Sequence, residues 1–436
     1  MGRIVHSPYL ILAGIAVVLG VAFLSGHRPA YDEGGSPIIV YAHPPCPPHL
    51  MELYRPVWNE FRRTHPGINF RVLHVTGIYE DKIKIMIAGK VAPDVVFMYP
   101  TALPAWVELD ALEPLDAFVA QSPNVSPDDY FEVMLDTFSY NGRLYGLPKD
   151  ASASIVEYNV DLFNRYGLEH PQPDWTWDDL LKAGKALTRD LDGDGRIDQW
   201  GMNQPLEWWA FVWQNGGRVL DESGTRCMLL EPEAVEALEF WAALRWQHGV
   251  TPTPAAAADV NPFTMFALER VAMDFAIYPV VSILRKTCDF QWDLAHMPRG
   301  PHARATTAMG SAMAITTQSR NKEAAFEFIW WMTSPAGMRG LVSVESPSCI
   351  ALAESPAFLE SAGPPPSKHI ANEAMKYARR PFQHPLYYQI LDILNPELDK
   401  ALRGRCTVCD ALENAVPEVN RALDRYAQQH PLSGED

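Results

Sequence analysis

The stretch "IIVYAHPPCPPHLMELYRPVWNEFRRTHPGINFRVLHV", residues Ile38 to Val75, decides the fold class. "IIVYAH" is a short β-rich run. Leu50, Leu53, Tyr54, Val57, Trp58 and Phe61 then recur at helical spacing, and Pro66-Gly67 stops that helix. "INFRVLHV" returns to strand. The next segment, "YEDKIKIMIAGKVAPDVVFMYP", reads as a helix ending at Gly89 followed by the strand "DVVFM". This β-α-β-α-β order predicts a parallel sheet with right-handed crossovers and helices on both faces.

A second set of elements begins near "GLPKDASASIVEYNVDLF". It holds the helix "TWDDLLKAGKALTRD" and another, "EPEAVEALEFWAALRWQHG", with Pro232 in its first turn and Gly249 past its end. "ERVAMDFAIYP", "WDLAHMP" and "AMGSAMAIT" are strand candidates, and "NKEAAFEFIWWMTSP" is a further helix. The 436 residues suffice for two or three domains, and 47% hydrophobic with 20% charged residues is a globular composition. A net charge of -17 argues against nucleic acid as a partner, whose phosphates the surface would repel.

Ahead of this lies an uncharged apolar run from Tyr9 to Leu24, preceded by Arg3 and followed by Asp32 and Glu33. As a helix it would be roughly 24 Å long at ~1.5 Å per residue, slightly short of a bilayer core. It reads as an export signal or a retained membrane anchor, with the rest of the chain outside the cytoplasm. Export makes the six cysteines, Cys46, Cys227, Cys288, Cys349, Cys406 and Cys409, candidates for disulfides of unspecified pairing. Cys406 and Cys409 form a CxxC, but the pair sits at a helix start without a thioredoxin-like pattern. His43, Cys46 and His49 have soft-metal spacing in a proline-rich loop, without a second ligand cluster.

"LTRDLDGDGRIDQWG", Leu187 to Gly201, has the alternating acids of a calcium loop. Asp190, Asp192, Asp194, Arg196 and Asp198 are its candidate metal positions. Position twelve is Gly201 rather than a bidentate Glu, so the loop reads either as a solvated acidic turn or as a weak structural calcium site, and no cofactor is required.

The ordered pieces "WNEFRRTHPGINFRV", "IAGKVAPDVVFM", "LYGLPKDASASIVEYNVDLFNRYGL", "WTWDDLLKAGKALTRDLDGDGRIDQWG", "WQNGGRVL", "PEAVEALEFW", "RVAMDFAIYP" and "MAITTQSRNKEAAFEFIWWMTS" carry a family likeness. The chain resembles the extracellular solute-binding proteins of ABC importers, in the sugar-binding group that includes maltose-binding protein. The resemblance implies a two-lobed α/β fold of mixed, mostly parallel sheets joined by a hinge. Residues 1–36 would be signal or anchor and linker. Lobe one would take 37–150 plus 292–344, and lobe two 151–291 plus 345–436. It further implies a monomer in the periplasm or at the outer face of the inner membrane. There it would bind a carbohydrate, an oligosaccharide by expectation, between the lobes and deliver it to permease subunits by hinge closure. No chemistry is implied.

Sugars present apolar C–H faces edged by hydroxyls, so aromatic and hydrogen-bonding groups at strand ends are the ligand candidates. These are His43, Tyr79, Tyr99, Asp150, Ser152, Trp208, Trp209, Tyr278, Gly310, Ser311 and Tyr387, with Tyr388 beside the last. The chain departs from relatives at Tyr278-Pro279-Val280, where many have a small residue and then Trp. At Ser152 the maltose-binding member has an acid, so maltose itself is not implied. Rival readings are an exported enzyme, a sensory binding protein, and a polyamine or glycerol-phosphate binder. The first lacks GxSxG and HExxH motifs, and a polyamine would call on acids such as Asp150 and Glu157.

Overall fold

A computed structural model describes residues 30–46, 48–257, 260 and 262–430. The apolar run Tyr9 to Leu24 and the side chain of His49 lie outside the described residues. Among those described, no helix is long and apolar enough to cross a membrane. The chain divides into two compact units, Met1–Asp150 with Ser311–Leu341, and Ala151–Gly310 with Val342–Asp436. The backbone therefore passes from one unit to the other three times.

The first unit opens with strand β1 (Ile38–His43), helix α1 (Pro48–Thr64), strand β2 (Asn69–His74), helix α2 (Tyr79–Ala88) and strand β3 (Val95–Met98). β1 pairs in parallel with both β2 and β3, as the β-α-β-α-β order requires. Both faces of β1 are buried. The apolar stripe of α1 is what holds the helix to that sheet. Tyr54, Val57, Trp58 and Phe61 are buried while Glu52, Arg55, Asn59 and Glu60 face water. Strand β4 (Leu147–Ala153) then carries the chain into the second unit.

That unit is built on strand β5 (Ile155–Asn159) and the helices α3 (Trp177–Leu187), α4 (Trp208–Gln214) and α5 (Pro232–Trp246). Strand β6 (Met273–Ala276), helix α6 (Val281–Thr287) and strand β7 (Trp292–Ala295) follow. β5 lies between β6 and β7 and is antiparallel to both, so the sheet here is not the parallel type that the first unit shows. Because β7 pairs with β5, residues 292–310 belong to the second unit and not to lobe one; residues 342–344 also fall in the second unit. A strand at the end of a long excursion chooses its sheet by tertiary pairing, which local pattern does not encode. α3 starts at a capping box between Thr176 and Asp179. It then crosses the chain closely enough that a Cβ on Gly201 would sit 2.2 Å from the Gly184 carbonyl oxygen.

Strand β8 (Thr306–Ile315) starts in the second unit and ends in the first. Its last residues, Ala312 to Ile315, pair antiparallel with β3 and complete the order β2-β1-β3-β8. Helix α7 (Lys322–Thr333) follows and closes the first unit's core, with Phe328 and Trp331 edge-on to Phe61 at 5.1 and 5.4 Å. A short strand β9 (Ala378–Arg379) pairs with Thr306 and Thr307. The helices α8 (Tyr387–Leu402) and α9 (Val408–Gln429) end the chain, sharing one apolar cluster with α4 and α5.

Candidate functional site

In the first unit, the candidates gather at the carboxyl ends of β1 and β3, the usual ligand edge of an open α/β sheet. His43 ends β1, is buried, and packs edge-on to Tyr54 at 5.2 Å and against Phe97 at 5.8 Å. Tyr99 follows β3 with its ring on Phe97 at 5.0 Å and remains 41% exposed. Asp150 accepts a hydrogen bond from the Ser311 hydroxyl, and its charge helps raise the Tyr99 phenol, after the larger effect of burial. Lys149 is buried with its ammonium 5.2 Å from the Tyr54 ring centroid. The structure thus brings His43, Tyr99, Asp150 and Ser311 together around Tyr54, Phe97 and Lys149. Lys149 and Tyr54 were missed, although Lys149 directly precedes the candidate Asp150 in β4 and could have been found with it.

Tyr79 belongs to the scaffold. It is buried, donates its hydroxyl proton to the Ala42 carbonyl at 3.0 Å, and accepts the Phe97 N–H at 3.0 Å. It therefore bolts β1 to β3, and burial raises its phenol far above the ordinary tyrosine range.

In the second unit, the two adjacent tryptophans part company, as side chains one residue apart on a helix must. Trp208 is 2% exposed and donates Nε1–H to Asn395 Oδ1 at 3.1 Å. Trp209 is half-buried and donates to Thr307 Oγ1 at 2.9 Å. Glu207, just ahead of α4, accepts from Ser154 Oγ at 2.6 Å and from the Thr307 hydroxyl. Tyr387 lies close enough to Glu207 for that carboxylate to raise its phenol further, burial being the larger cause. Tyr388, at 5.3 Å from the Tyr387 ring, is 46% exposed. Trp209, Tyr387 and Tyr388 are thus gathered, and Glu207 joins them unforeseen, masked in the sequence by the tryptophan pair it precedes.

Two candidates fall elsewhere. Tyr278 is fully buried on Phe358 at 5.2 Å, inside the second unit rather than at a crossing. Ser152 is also fully buried, and its hydroxyl has no partner among the described residues. Gly310 is the last residue before a crossing, at a φ of 130° that L side chains rarely adopt. Glu157 lies in β5 opposite Asp274, with 0% exposure and neither oxygen bonded, so it offers nothing to an external polyamine.

The acidic loop is exposed. Oxygens of Asp190, Asp192 and Asp194 lie within 4.8 Å of one another, which fits an oxygen-seeking cation such as calcium. Asp190 accepts the N–H groups of Gly193 and Gly195, and the latter holds its carboxyl below the usual range. Asp198 instead accepts the Leu191 N–H at 2.7 Å and does not join the gathered trio. Cys406 directly precedes the Thr407–Asp410 capping box that starts α9, and Cys409 lies within it.

Comparison with known proteins matches residues 48–339 to the family described as bacterial extracellular solute-binding protein. Among curated relatives, the mannitol-binding protein of Pseudomonas aeruginosa is 28% identical over 309 residues, 63% of this chain and 64% of its own. The arabinooligosaccharide-binding protein of Bacillus subtilis is 22% identical over 292 residues, 64% of this chain and 65% of its own. Among solved structures, an ABC substrate-binding protein of Listeria monocytogenes in complex with cycloalternan superimposes with a TM-score of 0.79. It is 26% identical and covers 89% of this chain and 99% of its own.

Proposed function

Because the chain belongs to the bacterial extracellular solute-binding protein family, we propose that it binds a carbohydrate outside the cytoplasm and delivers it to the transmembrane subunits of an ABC importer. One observation carries the reading at the level of residues. Each unit presents a charged or hydrogen-bonding group beside a partly exposed aromatic ring: Asp150 with Tyr99 in the first, Glu207 with Trp209 and Tyr388 in the second. That pairing suits the polar edge and apolar face of a sugar. The mannitol, arabinooligosaccharide and cycloalternan of the relatives' names make polyols and oligosaccharides the first ligands to try.

In this reading the protein works as a monomer, turns over nothing, and needs no cofactor beyond a brace that calcium would supply to the acidic loop. The event read by the permease is a ligand-dependent rearrangement about the three chain crossings. A ligand that binds only the folded state at a hundred times its Kd adds about 2.7 kcal/mol of stability. A thermal-shift panel of mannitol, arabino-oligosaccharides, malto-oligosaccharides, spermidine and glycerol 3-phosphate therefore tests the reading. At least one carbohydrate should raise Tm by several degrees. A rise with spermidine or glycerol 3-phosphate alone would overturn it.

A further inference from the structure

Tyr278, Arg285 and Lys368 form a cluster in the second unit that the carbohydrate reading does not use. Arg285, on α6, spends its guanidinium on main-chain oxygens: Nε–H donates to the Pro364 carbonyl and an Nη1–H to that of Ser343. Lys368 is 4% exposed, and its ammonium donates to the carbonyls of Ser361 at 2.7 Å and Gly363 at 3.0 Å. The two cations thus hold neighbouring peptides of one loop. Burial lowers the Lys368 ammonium below the ordinary lysine range, and the nearby charge of Arg285 adds to that.

No carboxylate pairs with either cation among the described residues, in a chain that carries 53 acids against 36 lysines and arginines. Asp293, whose charge reaches Lys368, spends its oxygens on the N–H and hydroxyl of Ser367. Donors are left over as well. Arg285 Nη2 and the hydroxyls of Tyr278 and Ser361 are buried without a hydrogen-bond partner among the described residues. Tyr278 is 0% exposed, and its phenol, raised by burial, is partly brought back down by the guanidinium beside it. Cations withdrawn from water and polar groups left unbonded are both costly. Holding the loop explains the carbonyl contacts but not a phenol and an Nη2 that stand side by side unbonded. A water molecule would satisfy the donors and leave the charge. One acceptor that bears negative charge answers both.

We propose that Arg285, Lys368 and the Tyr278 hydroxyl bind a small inorganic oxyanion, phosphate or sulfate, beneath the 361–364 loop. The guanidinium keeps its Nη2 edge free, the ammonium has a third proton beyond the two it gives away, and the phenol has its one. A tetrahedral oxyanion offers an oxygen to each. Ala362, Gly363 and Pro364 are exposed, so the cluster lies one loop beneath solvent and a small solute reaches it there. The assignment stands whether or not the protein's main ligand is a carbohydrate.

The test is calorimetry and thermal melting of the full chain with sodium phosphate. The wild type should bind one phosphate per chain, and sulfate should compete for it. Phosphate also raises Tm without any site, through its exclusion from protein surfaces, and that part is common to every variant. Y278F removes a hydroxyl that bonds nothing, so without phosphate it should melt at or slightly above the wild-type temperature. Its affinity for phosphate should fall roughly three- to ten-fold. R285K keeps the charge but loses the planar fork, and should bind roughly ten-fold more weakly. K286Q, which alters the exposed cation next along α6, should match the wild type. No saturable phosphate binding by the wild type, or equal affinity in Y278F, would overturn the proposal. So would an equal loss in K286Q, which would mark a diffuse attraction for anions. Should Y278F fail to fold, R285K decides in its place: weaker binding supports the site, and unchanged affinity refutes it.

Discussion

Replacing Trp208 by Ala should destabilise the protein far more than replacing Trp209, although the two residues are adjacent and chemically identical. Trp208 is 2% exposed and sits in the cluster that α4 and α5 share with α8 and α9. A buried tryptophan removes about 150–250 Å² from water, worth about 4–6 kcal/mol at ~25 cal/mol per Å². Its loss also leaves Asn395 Oδ1 without the indole donor, which costs about 1–3 kcal/mol if water cannot reach it. Partial collapse of the cavity offsets some of this, so about 4–6 kcal/mol is expected. At about 2–4 °C per kcal/mol, the melting temperature should fall by roughly 8–24 °C. Trp208→Phe keeps most of the apolar contact and should cost about 1–3 kcal/mol. Trp209→Ala should cost only about 1–2 kcal/mol in stability but weaken sugar binding about ten-fold, since its ring is half-buried and its one hydrogen bond goes to Thr307. Urea unfolding followed by fluorescence, with calorimetry on the folded variants, separates the two effects. The reverse ranking, with Trp208→Ala mild and Trp209→Ala unfolding, would refute the division of labour.

Burial pushes Asp274 up to about 7, against hydrogen bonds from Asn203 and the Phe275 N–H, and raises Glu157 opposite it as well. The fold therefore holds protons that the unfolded chain releases, so stability should fall from about pH 4 to about pH 7, by at most ~1.4 kcal/mol per pH unit for Asp274. Asp274→Asn keeps Oδ1 as acceptor for both donors and should flatten that slope in urea titrations; an unchanged slope would count against the assignment. Gly201→Ala should be worse than Gly184→Ala: the new Cβ at 201 meets the backbone of Gly184 at 2.2 Å, whereas at 184 the closest atom is the flexible Met202 Cε at 2.5 Å. Thermal melts that rank them the other way would contradict the close approach. Asp192→Ala combined with Asp194→Ala should abolish any calcium-dependent rise in Tm while leaving sugar affinity within a few-fold; lost sugar binding in a folded double variant would show that the loop shapes the site.

Where function lay in local pattern, the sequence was readable. The apolar stripe of α1 and the stops at Pro66-Gly67 and Gly89 are short-range features, and the β1-α1-β2-α2-β3 order follows from them. The three acids of the 190–194 loop are also local, so their convergence could be anticipated. Strand partners chosen across long separations were not legible: the antiparallel pairing of β8 on β3 and of β7 on β5 depends on tertiary closure. Aromatics at strand ends were ambiguous for a related reason. Tyr79 and Tyr99 look alike in sequence, but one hydroxyl is spent between two backbones while the other residue reaches solvent. Glu207 was hidden because an acidic residue beside two tryptophans carries no sign of which hydroxyls will orient it.

The discontinuity of the first unit has a consequence for the order in which the chain can fold. β3 acquires its outer neighbour only when Ala312 to Ile315 are in place, after the whole of Ala151–Gly310 has been made. Until then the backbone N–H and C=O groups along that side of β3 form an open edge, and an unpaired edge is a template for pairing with another chain. Nascent molecules should be most prone to aggregate while that late segment is missing, and fragments ending before Ser311 should be sticky even where their helices are formed. Holding the chain unfolded until its last strand is available, as translocation-linked holdase chaperones do, would protect β3 more than any substitution on the finished surface.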